Sequence, residues 1–440
     1  MSSRLSRRAA VLGSLAAATA LSGCGSPAAR GLFGVAPPEG QLSYWNMFTG
    51  GDGANMVTMQ EEYLRTHPDV RLDATVLAWG TPYYTKLTLA TSGGAPPDVA
   101  AVHLSRLQTL AQADLLQPLD ESLLGEHDLD PGRFVPTAVQ KSRYDNRLHA
   151  VPLDTHPFVL FYNVDVCRRA GLLGSDGKLR PIRGPEQFRG AIAAAARVTG
   201  GYGGVVNITK DPSTNWRWFA TLYYQLGGSV VADNGTRVTL DDDLAAQALG
   251  FMQGLTTSGL MPKSIDGPGV TSLFSTGKVG FLLDGEWQIP TYAGSSLKFD
   301  VVPVPHVFGP KPVAYADSHA LVLPRNAEMD DQRRGTALDF VRSLIGSSVI
   351  WAKGGHIPAW LPVQNSAEFR AMRPQANYTE AARTAQYDPP AWYSGAGSQL
   401  QNLLGAAIAT SQTGSAKPAQ AVREMRKQLD KLAAAKPPVE

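Results

Sequence analysis

The chain has 440 residues, of which 43% are hydrophobic, 18% charged and 8% aromatic. Single hydrophobic cores rarely grow beyond about 250 to 300 residues, so this composition predicts a globular protein of two or three lobes. The 40 Lys and Arg residues nearly balance the 38 Asp and Glu residues, and the formal charge is +2. This balance excludes a strongly basic surface, and nucleic acid is not expected as a partner.

The first 23 residues have the pattern of an export signal. Three arginines (Arg4, Arg7, Arg8) precede an apolar run at 9–21, which is shorter than the roughly 20 residues that a spanning helix needs. Residues 21–24 read Leu-Ser-Gly-Cys, which resembles the lipobox of bacterial lipoproteins and implies a lipid on Cys24. Residues 6–8 resemble a twin-arginine signal, with Ala10 as a departure, so the choice between the general and twin-arginine export routes stays open. Removal of residues 1–23 leaves 37 basic against 38 acidic residues, which gives a charge of −1.

Strands and helices are predicted to alternate after a Gly-, Ala- and Pro-rich tether at 24–40. The patterns indicate strands at 41–48, 70–79 and 99–102. They indicate helices at 54–68, from 81 to a break rich in glycine and proline, and at 104–119. Alternation of this length is typical of a mainly parallel α/β sheet.

The second half of the chain has a similar alternation. An apolar strand follows Val151-Pro152 and leads into a helix in which Cys167 is expected to be a core residue. Asn234-Gly235 marks the turn of a hairpin at 229–240. Three aspartates at 241–243 are interpreted as a helix cap, in preference to a calcium site. A strand is expected before Trp287, and the last strand to helix transition is expected near residues 318–346.

The sequence lacks the common catalytic and cofactor motifs. It has no G-x-S-x-G, H-E-x-x-H, Walker or G-x-G-x-x-G signature, and its eight histidines have no close metal-ligand spacing. We therefore expect neither a cofactor nor a metal.

Aromatic and hydrogen-bonding residues instead follow the ends of predicted strands, where ligands bind in open α/β sheets. Sugars suit this mixture, because their apolar faces lie on aromatic rings while carboxylates accept hydrogen bonds from their hydroxyls. The candidate ligand-binding residues are Trp45, Trp79, His103, Ser105, Asp154, His156, Trp216, Arg217, Asp284, Glu286, Trp287, Tyr315 and Asp317.

Six segments in this order resemble the substrate-binding lipoproteins of bacterial carbohydrate ABC importers, the group that includes the maltose- and glycerol-phosphate-binding proteins. They are YYTKLTLATSGGAPPDV, LAQADLLQPLD, NRLHAVPLDTHPFVLFYNVDVCRRAGL, YYQLGGSVVADNG, LFSTGKVGFLLDGEW and GGHIPAWLPV. The resemblance covers nearly all of residues 41–430. It implies an α/β, two-lobed periplasmic-binding-protein-like fold of type II, in which each lobe is a mainly parallel sheet flanked by helices. The implied N-lobe is 41–156 plus 318–345, and the implied C-lobe is 157–317 plus 346–440, with crossing segments near 154–157, 317–321 and 345–348.

The resemblance also implies roles for particular residues. Trp287 would stack on the sugar, Asp154 and His156 would supply polar contacts, and His103 with Ser105 would contact the sugar from the N-lobe. Glu286 departs from the neutral residue that the family often has at this position. Together with Asp154, Asp284 and Asp317 it predicts an acidic cleft and hence a neutral or amino-bearing sugar or a short oligosaccharide. Arg106 and Arg217 keep a phosphate-bearing ligand open as the weaker option.

The implied function is that of a monomeric, non-catalytic sugar receptor that serves a membrane permease. It would be held by Cys24 at the outer face of the bacterial cytoplasmic membrane. The alternative is a secreted glycoside hydrolase that uses the carboxylates of Asp284 and Glu286, which needs about 5 to 9.5 Å between them. A surface adhesin or signalling component of the same fold is a third reading that the sequence does not separate from an importer subunit.

Overall fold

The computed structural model describes residues 41–309 and 313–437. The predicted signal at 1–23, the lipidation site Cys24 and the tether at 24–40 lie outside the described residues. Within the described part, no helix combines the length and the apolar character needed to cross a bilayer.

The N-lobe is built on a five-stranded sheet. Its strands lie in the order β2 (Arg71–Val76), β1 (Gln41–Asn46), β3 (Val99–His103), β14 (His319–Val322) and β6 (Val151–Pro152). Strand β1 is parallel to β2 and β3, and β14 is antiparallel to β3 and β6. The elements up to the first crossing are β1 (Gln41–Asn46), α1 (Gly50–Thr66), β2 (Arg71–Val76), α2 (Thr81–Ser92), β3 (Val99–His103), α3 (Leu107–Gln112), α4 (Glu121–Glu126), α5 (Pro136–Lys141), β4 (Arg143–Tyr144), β5 (Arg147–Leu148) and β6 (Val151–Pro152).

The C-lobe is built around one long strand, β7, which pairs with four others. The elements up to the second crossing are β7 (Asp154–Asn163), α6 (Val164–Arg169), α7 (Gly184–Thr199), β8 (Gly204–Val206), α8 (Pro212–Gln225), β9 (Val231–Ala232), β10 (Arg237–Val238), α9 (Asp242–Thr257), α10 (Gly267–Ser275), β11 (Phe281–Gly285), α11 (Ile289–Ala293), β12 (Phe299–Pro303) and β13 (Ala314–Asp317). The chain continues as β14 (His319–Val322), α12 (Asp331–Gly346), α13 (Ser348–Ala352), β15 (Ile357–Pro358), α14 (Leu361–Gln364), α15 (Ala367–Ala371), β16 (Ala385–Gln386), α16 (Gln399–Gln412) and α17 (Pro418–Ala434).

The two-lobed α/β fold is as predicted, but the sheets are mixed and not mainly parallel. In the C-lobe, β7 is antiparallel to β11, β12, β13 and β15, whereas only β11 with β8 and β13 with β16 are parallel. The reason is topological. Because β7 leaves the hinge and β13 returns to it, these two neighbours must run in opposite directions.

Both faces of β7 are covered. Its ten residues are all buried, and alternate side chains point to opposite sides of a strand. Val159 and Phe161 belong to one apolar cluster, with α10 and α11, while Phe158, Leu160 and Tyr162 belong to the other, with α8, α9 and α16. The C-lobe sheet is therefore a central layer between helices, and its strand ends are held rigidly.

The chain passes from one large sheet to the other at the junction of β6 with β7, and back at that of β13 with β14. A third crossing was predicted at 345–348. Helix α13 packs on α1 of the N-lobe, and the Trp360 ring lies 4.6 Å from that of Phe134. The chain has returned to the C-lobe at Asn377, whose Nδ2 donates to Asp300. Residues 348–360 thus pack with the N-lobe, because their aromatic side chains fill its core.

Three local predictions are confirmed. Strands β9 and β10 form an antiparallel hairpin, in which Asn234 has a φ of 53° and Gly235 a φ of 89°. The Asp241 side chain caps α9 by accepting from the backbone N–H of Asp243 and Leu244. Cys167 is buried in the C-lobe core.

Candidate functional site

A cavity of about 630 Å³ lies between the lobes, within the usual range of small-molecule sites. The N-lobe side consists of the segment after β1, the loop after β2, the end of β3, the start of β14 and the residue before β15. The C-lobe side consists of β7, the start of α8 and the segment after β11. The lining residues are Met47, Phe48, Thr49, Gly50, Gly51, Asp52, Trp79, His103, His156, Lys210, Asp211, Arg217, Trp287, Gln288, Thr291, His319 and His356.

Five of the thirteen predicted residues line this cavity: Trp79, His103, His156, Arg217 and Trp287. They come from both lobes, so the cavity is assembled only when the lobes face each other. Trp79 is the most exposed of the lining aromatic rings, with 42% of its surface accessible.

Trp287 owes its position to the glycine two residues before it. A Cβ atom built on Gly285 would lie 2.1 Å from the Trp287 ring, so only a glycine leaves room for the indole over the end of β11. The intervening Glu286 points the other way, is fully buried and lies 3.0 Å from His356 Nδ1. The Asp-Gly-Glu-Trp segment therefore directs its aromatic ring to the cavity and its glutamate to the interior.

Arg217 lies among three aromatic rings at the cavity wall. Its guanidinium carbon is 5.0 Å from the centre of the Trp287 ring, 5.9 Å from that of Trp79 and 6.0 Å from that of Tyr315. Such distances are those of cation–π contacts, which are worth about 0.5 to 2 kcal/mol. The arginine thereby links one tryptophan from each lobe.

A cluster of imidazoles surrounds the buried carboxylate of Asp154. His156 Nδ1 lies 3.0 Å and His319 Nδ1 2.7 Å from its two oxygens, and His356 Nδ1 lies 3.3 Å away. The backbone N–H of His319 and the indole N–H of Trp351 also donate to it, at 2.8 and 2.6 Å. Asp154 thus positions the ring of His156 for the cavity without lining the cavity itself.

Burial sets the protonation of these rings. Burial, reinforced by neighbouring imidazoles, lowers the pKa of His156 to about 3 and that of His103 well below its usual value. Burial alone would lower the pKa of His356, but the carboxylates of Asp52 and Asp154 raise it well above its usual value. His156 is therefore neutral at pH 7, and with its Nδ1 proton directed at Asp154 the network leaves Nε2 as a hydrogen-bond acceptor.

Four residues of this cluster offer ligand atoms that lie within 4.8 Å of one another, close enough to surround a metal ion: Asp154, His156, His319 and His356. The contacts of His156 and His319 with Asp154, at 3.0 and 2.7 Å, are hydrogen-bond distances. Two ligands of a tetrahedral zinc ion, each at about 2.0 to 2.2 Å from the metal, would lie farther apart. The cluster is satisfied as a hydrogen-bond network, and we propose no metal there.

The four predicted carboxylates do not line the cavity, which corrects the expectation of an acidic cleft. Asp154 and Glu286 face the buried histidines, and Asp284 accepts from the backbone N–H of Gly285 at 2.8 Å. Asp317 accepts from the hydroxyl and the backbone N–H of Ser105. Asp154 and Asp317 are buried on the strands that cross between the lobes, and Asp284 and Glu286 are buried at the end of β11, which pairs with β7. Neither Asp284 nor Glu286 flanks the cavity, so the structure does not support the hydrolase alternative.

The remaining predicted residues also lie away from the cavity wall. Trp216 Nε1 and the Tyr315 hydroxyl donate to the buried Asp388 at 2.6 and 3.0 Å. Trp45 is a half-buried ring beneath the Lys86 ammonium group, at 5.5 Å. Ser105 bridges Asp317 and the backbone N–H of Ala396. Their placement makes these groups structural supports in this arrangement.

The lobes also touch directly beside Trp79. A Cβ atom on Gly397 of the C-lobe would lie 2.6 Å from Gly80 Cα of the N-lobe. The Thr81 hydroxyl donates to the Gly397 carbonyl at 3.0 Å, and Gly397 has a φ of 63°. Two glycines placed back to back therefore allow this close approach of the lobes.

The other residues that line the cavity were not predicted from the sequence. Met47 to Asp52 follow β1 directly, so the strand-end rule that found His103 could also have found them. His319 follows the second crossing. His356 belongs to the segment Gly-Gly-His-Ile-Pro, which carries part of the family resemblance, but its side chain was not predicted to bind ligand. Lys210 and Asp211 precede α8, where Asp211 caps the helix.

Comparison with known proteins identifies the family of this chain. Residues 49–349, more than half of the chain, match the family model described as bacterial extracellular solute-binding protein. The arabinooligosaccharide-binding protein of Bacillus subtilis (strain 168) is 26% identical over 245 residues. That match spans 55% of this chain and 52% of the relative, so the chain spans about half the length of this curated relative.

Solved structures show the same fold. The GacH receptor of Streptomyces glaucescens, determined unliganded and with acarbose, has a TM-score of 0.75 and 21% identity, covering 90% of this chain and 99% of the receptor. An ABC substrate-binding protein of Listeria monocytogenes in complex with cycloalternan has a TM-score of 0.73 and 18% identity, covering 90% and 99%. The family match, the two-lobed fold and the cavity between the lobes agree: the chain belongs to the bacterial extracellular solute-binding protein family.

Proposed function

We propose that this protein captures an oligosaccharide between its lobes and delivers it to the permease of an ABC importer. The observation that carries the proposal is the cavity wall itself, in which Trp79 of one lobe and Trp287 of the other flank histidines from both. Aromatic rings provide apolar faces for sugar rings, and the neutral imidazoles of His103 and His156 provide ring nitrogens that can form hydrogen bonds with hydroxyls.

The relatives support this class of ligand. The Bacillus relative is an arabinooligosaccharide-binding protein, and the two solved relatives were determined with acarbose and with cycloalternan, so the ligands of all three are saccharides or saccharide analogues. A receptor role also agrees with the wall chemistry, because neither Asp284 nor Glu286 is among the residues that line the cavity. The proposal does not include an amino sugar, because the four carboxylates that suggested one do not line the cavity, and the two acidic residues that do, Asp52 and Asp211, are matched by Lys210 and Arg217.

A ligand screen tests the proposal. The mature protein is titrated with maltotetraose, an arabinose trisaccharide, acarbose and cycloalternan, and thermal unfolding is followed in parallel. At 100 times the Kd a ligand adds about 2.7 kcal/mol to the stability of the folded state, so at least one saccharide is expected to raise the Tm measurably. No binding across a broad saccharide panel would refute the proposal, and time-dependent cleavage of a saccharide would favour an enzyme.

The proposal includes export and attachment to the membrane through a lipid on Cys24, as the lipobox resemblance implies. Expressed in a bacterium, the full chain is expected in the membrane fraction, and Cys24→Ala is expected to release it. Retention of the variant in the membrane fraction would refute the lipid anchor. We further propose that the receptor acts as a monomer, which sedimentation of the mature protein with and without ligand would check.

A further inference from the structure

The charged side chains on the cavity wall are paired, with one exception. Asp52 lies 3.1 Å from His356 Nε2, and Lys210 Nζ lies 3.1 Å from Asp266. Asp211 accepts from the hydroxyl and the backbone N–H of Thr214. Arg217 differs, because its guanidinium makes no hydrogen bond or ion pair with any residue in the described ranges 41–309 and 313–437, and its Nε is buried without a partner.

The surroundings of Arg217 make this lack of a partner significant. Aromatic rings flank the guanidinium, as described above, and these rings offer it no acceptor oxygen. Asp211, Asp284 and Asp388 stabilise its charge at longer range, but each accepts hydrogen bonds from other groups. A guanidinium that is partly buried, with a buried Nε that lacks an acceptor, is costly unless an anion or several acceptor groups bind it.

A neutral sugar would satisfy the hydrogen-bonding groups of Arg217 only in part. Hydroxyl groups can accept from the guanidinium, but a neutral acceptor makes a weaker hydrogen bond with it than an ionised acceptor does. A carboxylate or an ester of sulfate or phosphate brings charged acceptor oxygens, and arginine presents a planar fork of donors that matches such groups.

We propose that the captured sugar is acidic, with an anionic oxygen group that binds Arg217 between Trp79 and Trp287. This inference rests on the proposed function, since it specifies the class of saccharide that the same cavity takes. The sugar rings lie on the indoles, and the anionic group displaces the water that would otherwise solvate the guanidinium.

The test uses matched pairs of saccharides with the mature wild-type protein. Disaccharides of galacturonate, glucuronate and mannuronate are each compared by calorimetry with the neutral disaccharide of the same linkage. Members that carry a 6-sulfate or a 6-phosphate distinguish a carboxylate ligand from an ester. We expect the acidic member of at least one pair to bind at least tenfold more tightly than its neutral partner.

Substitutions then assign the preference to one side chain. Arg217→Gln is expected to reduce the preference to less than about twofold, while Arg217→Lys retains part of it. Arg189→Gln is the matched control, because Arg189 also lies over an aromatic ring of the C-lobe, 5.7 Å from the centre of Phe251, but outside the cavity. Thermal unfolding without ligand checks that each variant folds.

The outcomes separate this inference from the proposed function. If neutral saccharides bind as tightly as all acidic partners, or if Arg217→Gln keeps the preference, the acidic-sugar inference is overturned while sugar capture stands. If no saccharide binds, neutral or acidic, the proposed function itself fails.

Discussion

Replacement of Trp287 by alanine is the sharpest test of the site. The ring forms part of the C-lobe wall, is only partly buried and contacts Arg217 and His156, whose ring centre lies 5.9 Å away. A tryptophan buries about 150 to 250 Å² in a full contact, and we assign roughly a third of that, about 60 Å², to the face that a sugar covers. At about 25 cal/mol per Å² this area is worth about 1.5 kcal/mol.

Trp287→Ala is therefore expected to weaken saccharide binding by about 1 to 2 kcal/mol, which is roughly five- to thirtyfold in Kd. Trp287→Phe is expected to lose less, because a smaller aromatic face remains. The assay is isothermal titration with the saccharide that binds most tightly in the screen. Thermal unfolding without ligand should change little, since the ring is not part of the apolar core.

Trp45→Ala is the matched control, because Trp45 is also half-buried but lies away from the cavity. Its affinity should equal that of the wild type. Unchanged affinity in Trp287→Ala, or an equal loss in both variants, would show that the sugar does not lie on the Trp287 ring.

Three further predictions follow from single positions. Gly285→Ala introduces a methyl group where the Trp287 ring lies, and should therefore lower saccharide affinity and change tryptophan fluorescence. A variant with the affinity and the fluorescence of the wild type would contradict the proposed position of the ring. Gly397→Ala should weaken binding by separating the lobes, more than Gly200→Ala does at another positive φ of 70° with open space around it; equal affinities would exclude this effect. Burial raises the pKa of Asp284 to about 7, so the folded state binds more protons than the unfolded state between about pH 4 and 7 and stability from this group falls as pH rises. Asp284→Asn should therefore flatten the fall in chemical-denaturation stability across this window, and an unchanged slope would contradict the raised pKa.

The sequence was a good guide to the fold because the alternation of strands and helices is strong and the motifs occur in family order. It was a poorer guide to side-chain direction. Trp216 and Arg217 are neighbours on α8 and point about 100° apart, so one faces the buried Asp388 and the other the cavity. The sequence could not set this helical phase, which depends on how α8 packs against α16.

The contacts of the charged residues at the hinge were likewise not predictable from the sequence. Asp154 and Asp317 were predicted to bind ligand because polar residues at strand ends often do. In the structure they accept hydrogen bonds from His156, His319 and Ser105, since strands that cross between lobes are covered on all sides. His319 and Ser105 are distant in sequence from the aspartates that they contact, and only the tertiary structure brings them together.

A crystal structure of the mature protein with its tightest saccharide tests the central claim most directly. The account predicts a sugar ring against the Trp287 indole, enclosed between the lobes and within hydrogen-bond distance of His156. A saccharide bound outside this cavity, with the space between Trp79 and Trp287 filled only by water, would contradict it.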